Sequence, residues 1–135
     1  MEEKQTIDPG WQWDDNFPLS QGLKIGNFLF LSGQIAVDAE GRVVGKGNLG
    51  AQTRQAFENM KIVLEQAGAT FDHIVKMTTY FTSDIQNYED YFAVRREYIK
   101  PPYPASTGVQ VAALAFAGLM LEVEAIVYLP DGAVK

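Results

Sequence analysis

The sequence contains no cysteine, and its one histidine is His73. The lack of cysteine excludes disulfides, thiolate nucleophiles and every zinc or iron–sulfur site built on sulfur. A single imidazole likewise excludes chemistry that needs a pair of histidines. His73 precedes a β-branched run and is interpreted as a surface or helix-end residue rather than a catalyst.

Basic residues are scarce relative to acidic ones. Eleven Lys and Arg face seventeen Asp and Glu, which gives a formal net charge of −6 and a pI near 4.7. This is the wrong sign for a surface that neutralises phosphates, so nucleic acid is predicted to be a poor partner. Plain solubility explains the acidic surplus equally well.

Long apolar runs are also missing. The longest nearly apolar stretch, "VAALAFAGLMLEVEAIV", is interrupted by Gly118, Glu122 and Glu124, and falls short of the roughly 18 residues that a spanning helix needs. The first residues, "MEEKQTIDPG", are acidic and polar, unlike a secretory signal. We therefore expect a cytoplasmic protein with no membrane partner.

What is present predicts one α+β domain over residues 1–135, with residues 1–16 as an N-terminal arm. No repeat or linker divides the chain, and 47% hydrophobic content suffices for a core. The run "SQGLKIGNFLFLSGQIAVD" reads as two strands around the Gly26-Asn27 turn, and "RVVG" as a third. Apolar spacing predicts a helix from Asn48 to Ala67 that stops at Gly68.

The second half of the chain alternates strands with one further helix. "HIVKMTTYFTSD" is β-branched and aromatic, and Ser83 or Asp84 offers an oxygen near the start of the helical "IQNYEDYFAVRREYI". "ASTGVQV" and "LMLEVEAIVYL" close the chain as strands. The predicted order is β-β-β-α-β-α-β-β. Two helices cover only one face of a six-stranded sheet, so the other face is either closed by a homo-oligomer or half-solvated.

Four segments together resemble the RidA family, also called the YjgF family. They are "SQGLKIGNFLFLSGQIAVD", "QAFENMKIVLEQAGATFDHIVKMTTYFTSD", "YPASTGVQVAAL" and "LEVEAIV", within residues 17–130. The resemblance implies a chorismate-mutase-like fold, a six-stranded mostly antiparallel sheet with two helices on one face. It further implies a homotrimer with small-molecule clefts between subunits, hydrolysis of reactive enamines or imines to a carbonyl compound and ammonia, and no metal or organic cofactor.

The resemblance also exposes a departure. The family's fifth strand carries an arginine that binds the substrate carboxylate, and in "YPASTG" that position is Ser106. Since the other arginines lie on the hairpin and helices, none is an obvious replacement. A hydroxyl cannot form the two parallel, charge-assisted hydrogen bonds that a guanidinium donates to a carboxylate. Small 2-imino acids are therefore expected to bind poorly.

Other site positions are carried over by the same resemblance. Glu124 matches the glutamate that holds the attacking water, and Glu122 shares its face of the strand; ordinary strand polarity is the alternative for both. Ser32, Gly33 and Gln34 match the "SGQ" segment whose backbone lines the cleft, although a glycine in a strand also marks a bulge.

The mouth of the expected cleft departs from the family pattern. Family members often have a tyrosine at the position of Leu19, where it caps the site. In the loop before the second helix, where the family often has a polar residue that contacts the ligand, this chain has Gln86 or Asn87. Trp11, Trp13 and Phe17 are expected either to cover the mouth and favour a flatter ligand or to pin the arm to a neighbouring subunit.

Three functions follow. The first is hydrolytic deamination, with Glu124 positioning water, Ser106 and Thr107 orienting the substrate, and backbone N–H groups near Gly33 polarising it. Its substrate would be a larger unsaturated amino acid, because relatives of the family process ring-cleavage enamines. The second is a small-molecule-binding module without catalysis. The third, endoribonuclease activity, lacks visible machinery in an acidic chain with one histidine.

Overall fold

The computed structural model describes residues 3–83 and 85–130. The strands are β1 (Gln5–Ile7), β2 (Gly22–Ile25), β3 (Phe28–Gln34), β4 (Ile74–Thr82), β5 (Ala105–Val111) and β6 (Leu121–Tyr128), and the helices are α1 (Leu49–Gln66) and α2 (Glu89–Tyr98). The strands form one sheet in the order β1-β2-β3-β6-β4-β5, in which only the β4–β5 pair is parallel. The predicted α+β fold with its β-β-β-α-β-α-β-β order is confirmed.

Alternation along β6 separates the two faces of the sheet. Leu121, Val123, Ala125 and Val127 are buried in the core that includes Phe57 and other residues of α1. The intervening side chains therefore lie on the opposite, helix-free face. Within residues 3–83 and 85–130, neither helix is long and apolar enough to cross a membrane.

The two helices begin in different ways. Asn48 caps α1 by accepting the Ala51 N–H at 2.9 Å, and Gly68 follows the helix with φ +72°, as the sequence predicts. Helix α2 starts later than predicted, at Glu89, whose N–H donates to Asn87 Oδ1 at 3.0 Å. Of the two expected caps, Ser83 lies outside this turn and Asp84 lies outside the described residues.

The third predicted strand, "RVVG", is wrong. This segment forms only an isolated bridge between Val37 and Val43. Gly41 and Gly45 both have positive φ, so the chain turns before and after a stretch too short for a ladder. The strand that the sequence did not predict is β1. It comes from the N-terminal arm and forms an antiparallel edge of the sheet beside β2.

Two buried amides of α1 hold the loops beside the sheet. Gln52 donates to the Gly118 carbonyl at 2.8 Å and accepts the Met120 N–H at 2.7 Å. Asn59 donates to the carbonyls of Ile35 and Val37, both at 2.9 Å. These bonds hold the chain just after β3 and just before β6, where it frames the site described below.

Candidate functional site

Glu122 of β6 lies directly against Gly33 of β3. A β-carbon added at Gly33 would stand 2.6 Å from Cδ and Cγ of Glu122, closer than real contacts allow. The register between β3 and β6 shifts between Leu31 and Gln34, which marks a bulge at this point. The glycine thus leaves the space in which the half-buried Glu122 carboxylate rests.

This carboxylate faces a cavity of about 330 Å³. Its lining includes Glu122, Gly33, Ser32, Leu19 and Phe17. Trp13, Phe17 and Phe116 complete an aromatic wall, with ring centroids 6.3–6.4 Å apart. The cavity is therefore largely apolar and aromatic, with the carboxylates of Glu122 and Asp14 in its lining.

Burial raises the pKa of Glu122, and the negative charge of Glu124 raises it further. Glu124 in turn forms a hydrogen bond with Tyr80, which raises the pKa of the Tyr80 hydroxyl. The three side chains form a polar cluster on the helix-free face, since Glu124 pairs with Thr78 and Glu122 with Tyr80 across β4 and β6. A carboxylate whose proton affinity is raised this way is suited to accept a proton from water.

The residue predicted to be catalytic, Glu124, lies beside this cavity rather than in its lining. It shares the face of Glu122, as its spacing predicts, but its partner is Tyr80. Glu122 is the glutamate that touches the Gly33 backbone and faces the open volume. Of the two glutamates, Glu122 is therefore the one that lines the cavity.

The predicted "SGQ" residues have different roles. Ser32 lines the cavity and donates its hydroxyl to the Ser20 carbonyl at 2.5 Å. Gln34 is buried and donates to Gln21 Oε1 at 2.9 Å and to the Ser32 carbonyl at 3.0 Å. Because Gln21 donates to Asp14 at 2.7 Å, this chain of bonds holds the segment that forms the cavity wall.

Ser106 and Thr107 lie elsewhere, on the edge strand β5. Ser106 is in register with the buried Met77, so its side chain is on the helix side of the sheet. Thr107 is on the opposite face and accepts a hydrogen bond from Lys76 Nζ at 2.7 Å. Strand β4 separates β5 from β6, a distance of about 10 Å. One chain therefore does not bring Ser106 to Glu122.

The remaining predicted residue, Gln86, is exposed in the loop before α2.

An arginine of helix α2 lies beside Ser106. Arg95 of α2 donates through Nη1 to Ser106 Oγ at 3.1 Å and to Tyr91 Oη at 2.9 Å. The sequence marked no arginine as an obvious replacement for the missing one, and this contact brings one of them to the Ser106 position. Only the i, i+4 spacing of Tyr91 and Arg95 is visible in the sequence, and it does not reveal where β5 passes α2.

His73 has a structural contact. Its Nδ1 accepts the Thr70 N–H at 3.0 Å and closes the 3₁₀ turn Phe71–His73. Throughout residues 3–83 and 85–130, no group of three or more His, Cys, Asp or Glu side chains is arranged to hold a metal ion.

Comparison with known proteins assigns the family. The family model described as Endoribonuclease L-PSP matches residues 14–129. A RutC family protein of Pyrococcus abyssi is 39% identical over 111 residues, covering 82% of this chain and 86% of that protein. The human protein named 2-iminobutanoate/2-iminopropanoate deaminase is 33% identical over 109 residues, covering 81% of this chain and 78% of the human one.

Solved structures agree with the sequence matches. The structure of protein YjgH superposes with a TM-score of 0.84 at 31% identity, covering 95% of this chain and 98% of that one. RidA from an Antarctic Psychrobacter superposes with a TM-score of 0.81 at 33% identity, covering 93% and 99%. With the fold, the "LSGQI" strand and the "EVEAI" strand all in place, the chain belongs to the RidA (YjgF) family.

Proposed function

We propose that the protein hydrolyses an enamine or imine to the corresponding carbonyl compound and ammonia. The observation that carries this proposal is the Glu122 carboxylate held against the Gly33 backbone in a largely apolar cavity. Two relatives at 33–34% identity bear the name 2-iminobutanoate/2-iminopropanoate deaminase, which supports the same reaction class.

The reaction needs one general base and one polarising group. Water bound to Glu122 attacks the imine carbon, and the carboxylate accepts the proton that the water loses. Backbone N–H groups near Gly33, the residue against which this carboxylate packs, are proposed to polarise the reacting C=N group. That proton passes to nitrogen and gives a carbinolamine. The hydroxyl proton of the carbinolamine then moves to nitrogen as the C–N bond breaks, so ammonia leaves as the carbonyl forms. An enamine first tautomerises to the imine. One water is consumed, and no oxidant or reductant is needed.

We further propose that the complete site forms between subunits of a trimer. Glu122 and Ser106 lie on opposite faces of one sheet and two strands apart, so a single chain does not direct both at one small substrate. The helix-free face also exposes Phe28, Phe30 and Tyr128, each 40–43% accessible. Phe28 and Tyr128 pack against each other across β3 and β6 with their rings tilted by 55° and centroids 5.3 Å apart, which provides an apolar patch for a neighbouring chain.

The second candidate is a binding module that retains the cleft but not the catalysis. Ser106, at the position where the family resemblance expects an arginine, favours this alternative. Endoribonuclease activity, the description attached to the family model, fits poorly. The net charge is −6, and the one histidine is engaged in a turn. Phosphodiester binding and acid–base cleavage both lack the groups they require.

A direct assay separates these functions. An amino-acid oxidase acting on leucine generates a 2-imino acid in situ, and semicarbazide traps whatever imine remains. We expect the wild type to lower the trapped fraction and release ammonia faster than buffer does. Glu122→Gln should lose about a hundredfold or more of this rate, and Glu124→Gln less. Equal rates for wild type, Glu122→Gln and buffer, with a range of imines, would leave only the binding module.

A further inference from the structure

Arg95 differs from the other arginines of the chain in its partners. Each of the other three pairs with a carboxylate: Arg42 with Asp38 and Glu40, Arg54 with Glu97, and Arg96 with Glu89. Among residues 3–83 and 85–130, no carboxylate lies within 4.0 Å of Arg95; Glu2, Asp84, Asp131 and the chain's C-terminal carboxylate are outside these ranges. Its charge is thus not neutralised by any described residue.

The guanidinium is held in place by neutral hydroxyls. Nη1 donates to Tyr91 Oη and Ser106 Oγ, and Tyr91 Oη is itself bonded to the buried Thr79 Oγ1 at 2.8 Å. The Arg95 Cζ also lies 5.9 Å from the centroid of the Tyr91 ring. Nη1 therefore has both hydrogens engaged, while Nε and Nη2 donate to no described residue. Those two groups form the side-on fork that accepts a carboxylate with two parallel bonds.

A cavity of about 510 Å³ lies between α2 and β5 beside this guanidinium. Phe92, Ile99 and Tyr103 give it apolar walls, and Ser106 and Gly108 form its side on the strand. Arg96 also borders it, but Glu89 pairs with that guanidinium. The volume thus combines one available cation with aromatic and aliphatic surface.

We infer that Arg95 binds the carboxylate of the substrate and that Phe92 and Tyr103 receive its apolar side chain. The inference rests on the proposed function, since it places the carboxylate of a reactive imino or enamine acid at this cavity. Ser106 then acts as a positioning residue: its hydroxyl orients the guanidinium that helix α2 supplies. The substrate class is a 2-imino or enamine acid with an apolar side chain rather than a neutral imine.

A carboxylate site at Arg95 changes the binding of 2-imino acids that Ser106 predicts. Ser106 alone predicts weak binding of carboxylates, because a hydroxyl carries no charge. With Arg95 in contact with Ser106, the charge is restored from a different element. Binding should therefore depend on a residue of α2, and the size of the apolar side chain should decide which acids bind.

Equilibrium binding tests the inference without requiring turnover. The probes are 2-oxobutanoate and 4-methyl-2-oxopentanoate, which resemble hydrolysis products, and 4-methylpentan-2-one, which lacks the carboxylate. We expect the wild type to bind the branched oxo acid more tightly than 2-oxobutanoate and the ketone weakly. Arg95→Gln should raise the Kd of both acids about tenfold or more, the effect of losing charge-assisted bonds. Arg54→Gln removes an equal charge from an exposed pair away from the cavity and should leave Kd unchanged.

A double variant that moves the guanidinium distinguishes loss of the charge from misfolding. Arg95→Gln combined with Ser106→Arg moves the guanidinium from helix to strand and should recover at least part of the affinity that Arg95→Gln loses. Circular dichroism and the melting temperature of each variant establish that it is folded. An unchanged Kd for Arg95→Gln, or a larger loss for Arg96→Gln, would overturn the inference. Failure of hydrolysis with Arg95-dependent binding intact would instead refute the proposed function alone.

Discussion

The Glu122 carboxylate occupies the space that a side chain at residue 33 would need. The contact joins β3 to β6 at the point where their register shifts, so one missing β-carbon and one bulge together decide where the carboxylate rests. Both features are local, and both are open to single substitutions.

Gly33→Ala should displace Glu122 while leaving the fold intact. The clashing atoms belong to a side chain that can rotate, and the backbone at Gly33 has no positive φ, so the main chain has no reason to move. Misplacement of a catalytic group by about 1 Å costs on the order of a hundredfold in rate. We expect kcat to fall by about that factor in the imine assay, with little change in melting temperature.

Gly50→Ala is the matched control for that substitution. A β-carbon at Gly50 would meet its nearest atom at 3.6 Å, an ordinary contact, and the residue is in helix α1. This variant should keep full activity and gain stability, by about 0.5–1 kcal/mol. If Gly33→Ala retained wild-type kcat, the placement of Glu122 against the backbone would have no role in catalysis.

Glu124→Gln should shift the pH dependence of hydrolysis. The Glu124 charge contributes to the raised pKa of Glu122, so its removal lowers that pKa toward the ordinary value. The proposed base, Glu122, is active as the carboxylate. The fall of kcat/KM at low pH, its acid limb, therefore follows the titration of Glu122 in the free enzyme. We therefore expect the limb to move to lower pH, as measured across a pH series at low substrate concentration. A limb that moved upward or stayed in place would contradict the coupling of the two carboxylates.

Much of the fold could be predicted because its signals are local. Asn48 and Gly68 bound α1 through a cap and a positive φ, and both are visible as residue types at the ends of an apolar period. The "RVVG" strand failed because two glycines turn the chain too soon. Strand β1 was missed because a three-residue edge has no periodicity to recognise.

The site was harder to predict because its contacts are long-range. The alternation along β6 places Glu122 and Glu124 on one face but does not say which of them meets Gly33; the bulge in β3 decides that. The Arg95–Ser106 bond depends on where α2 crosses β5. Periodicity describes neither of these packing relationships.

Glu122→Gln should stabilise the protein at neutral pH even though it removes the proposed base. The folded state raises the pKa of Glu122 through burial, so it holds the proton more tightly than the unfolded chain does. That contribution is complete below the unfolded pKa of about 4.3 and is lost as pH rises through the folded pKa. We expect Glu122→Gln to melt about 1–3 °C above the wild type at pH 7 and at the same temperature below about pH 4, by calorimetry. A lower melting temperature at pH 7 would show that the ionised carboxylate stabilises the fold.

Generic RNA should bind negligibly at physiological salt. The formal charge of −6 provides no surface on which phosphates release counterions. Filter binding and electrophoresis of RNA incubated with EDTA-treated protein measure both binding and cleavage. Tight binding that weakens steeply with salt, together with cleavage, would restore the ribonuclease hypothesis.

We predict that the protein is a trimer whose sites are shared between neighbouring subunits. Light scattering should give about three times the 15.0 kDa chain mass. If one subunit supplies Glu122 and its neighbour supplies Arg95, two inactive variants should complement each other when they assemble together. In trimers mixed at random from equal amounts of Glu122→Gln and Arg95→Gln chains, one interface in four has both native residues. Co-expression should therefore restore about a quarter of wild-type activity, whereas variants purified separately and mixed without subunit exchange should stay inactive. Because a site contained in one chain predicts no recovery in either case, absence of complementation in verified mixed trimers would contradict the intersubunit arrangement.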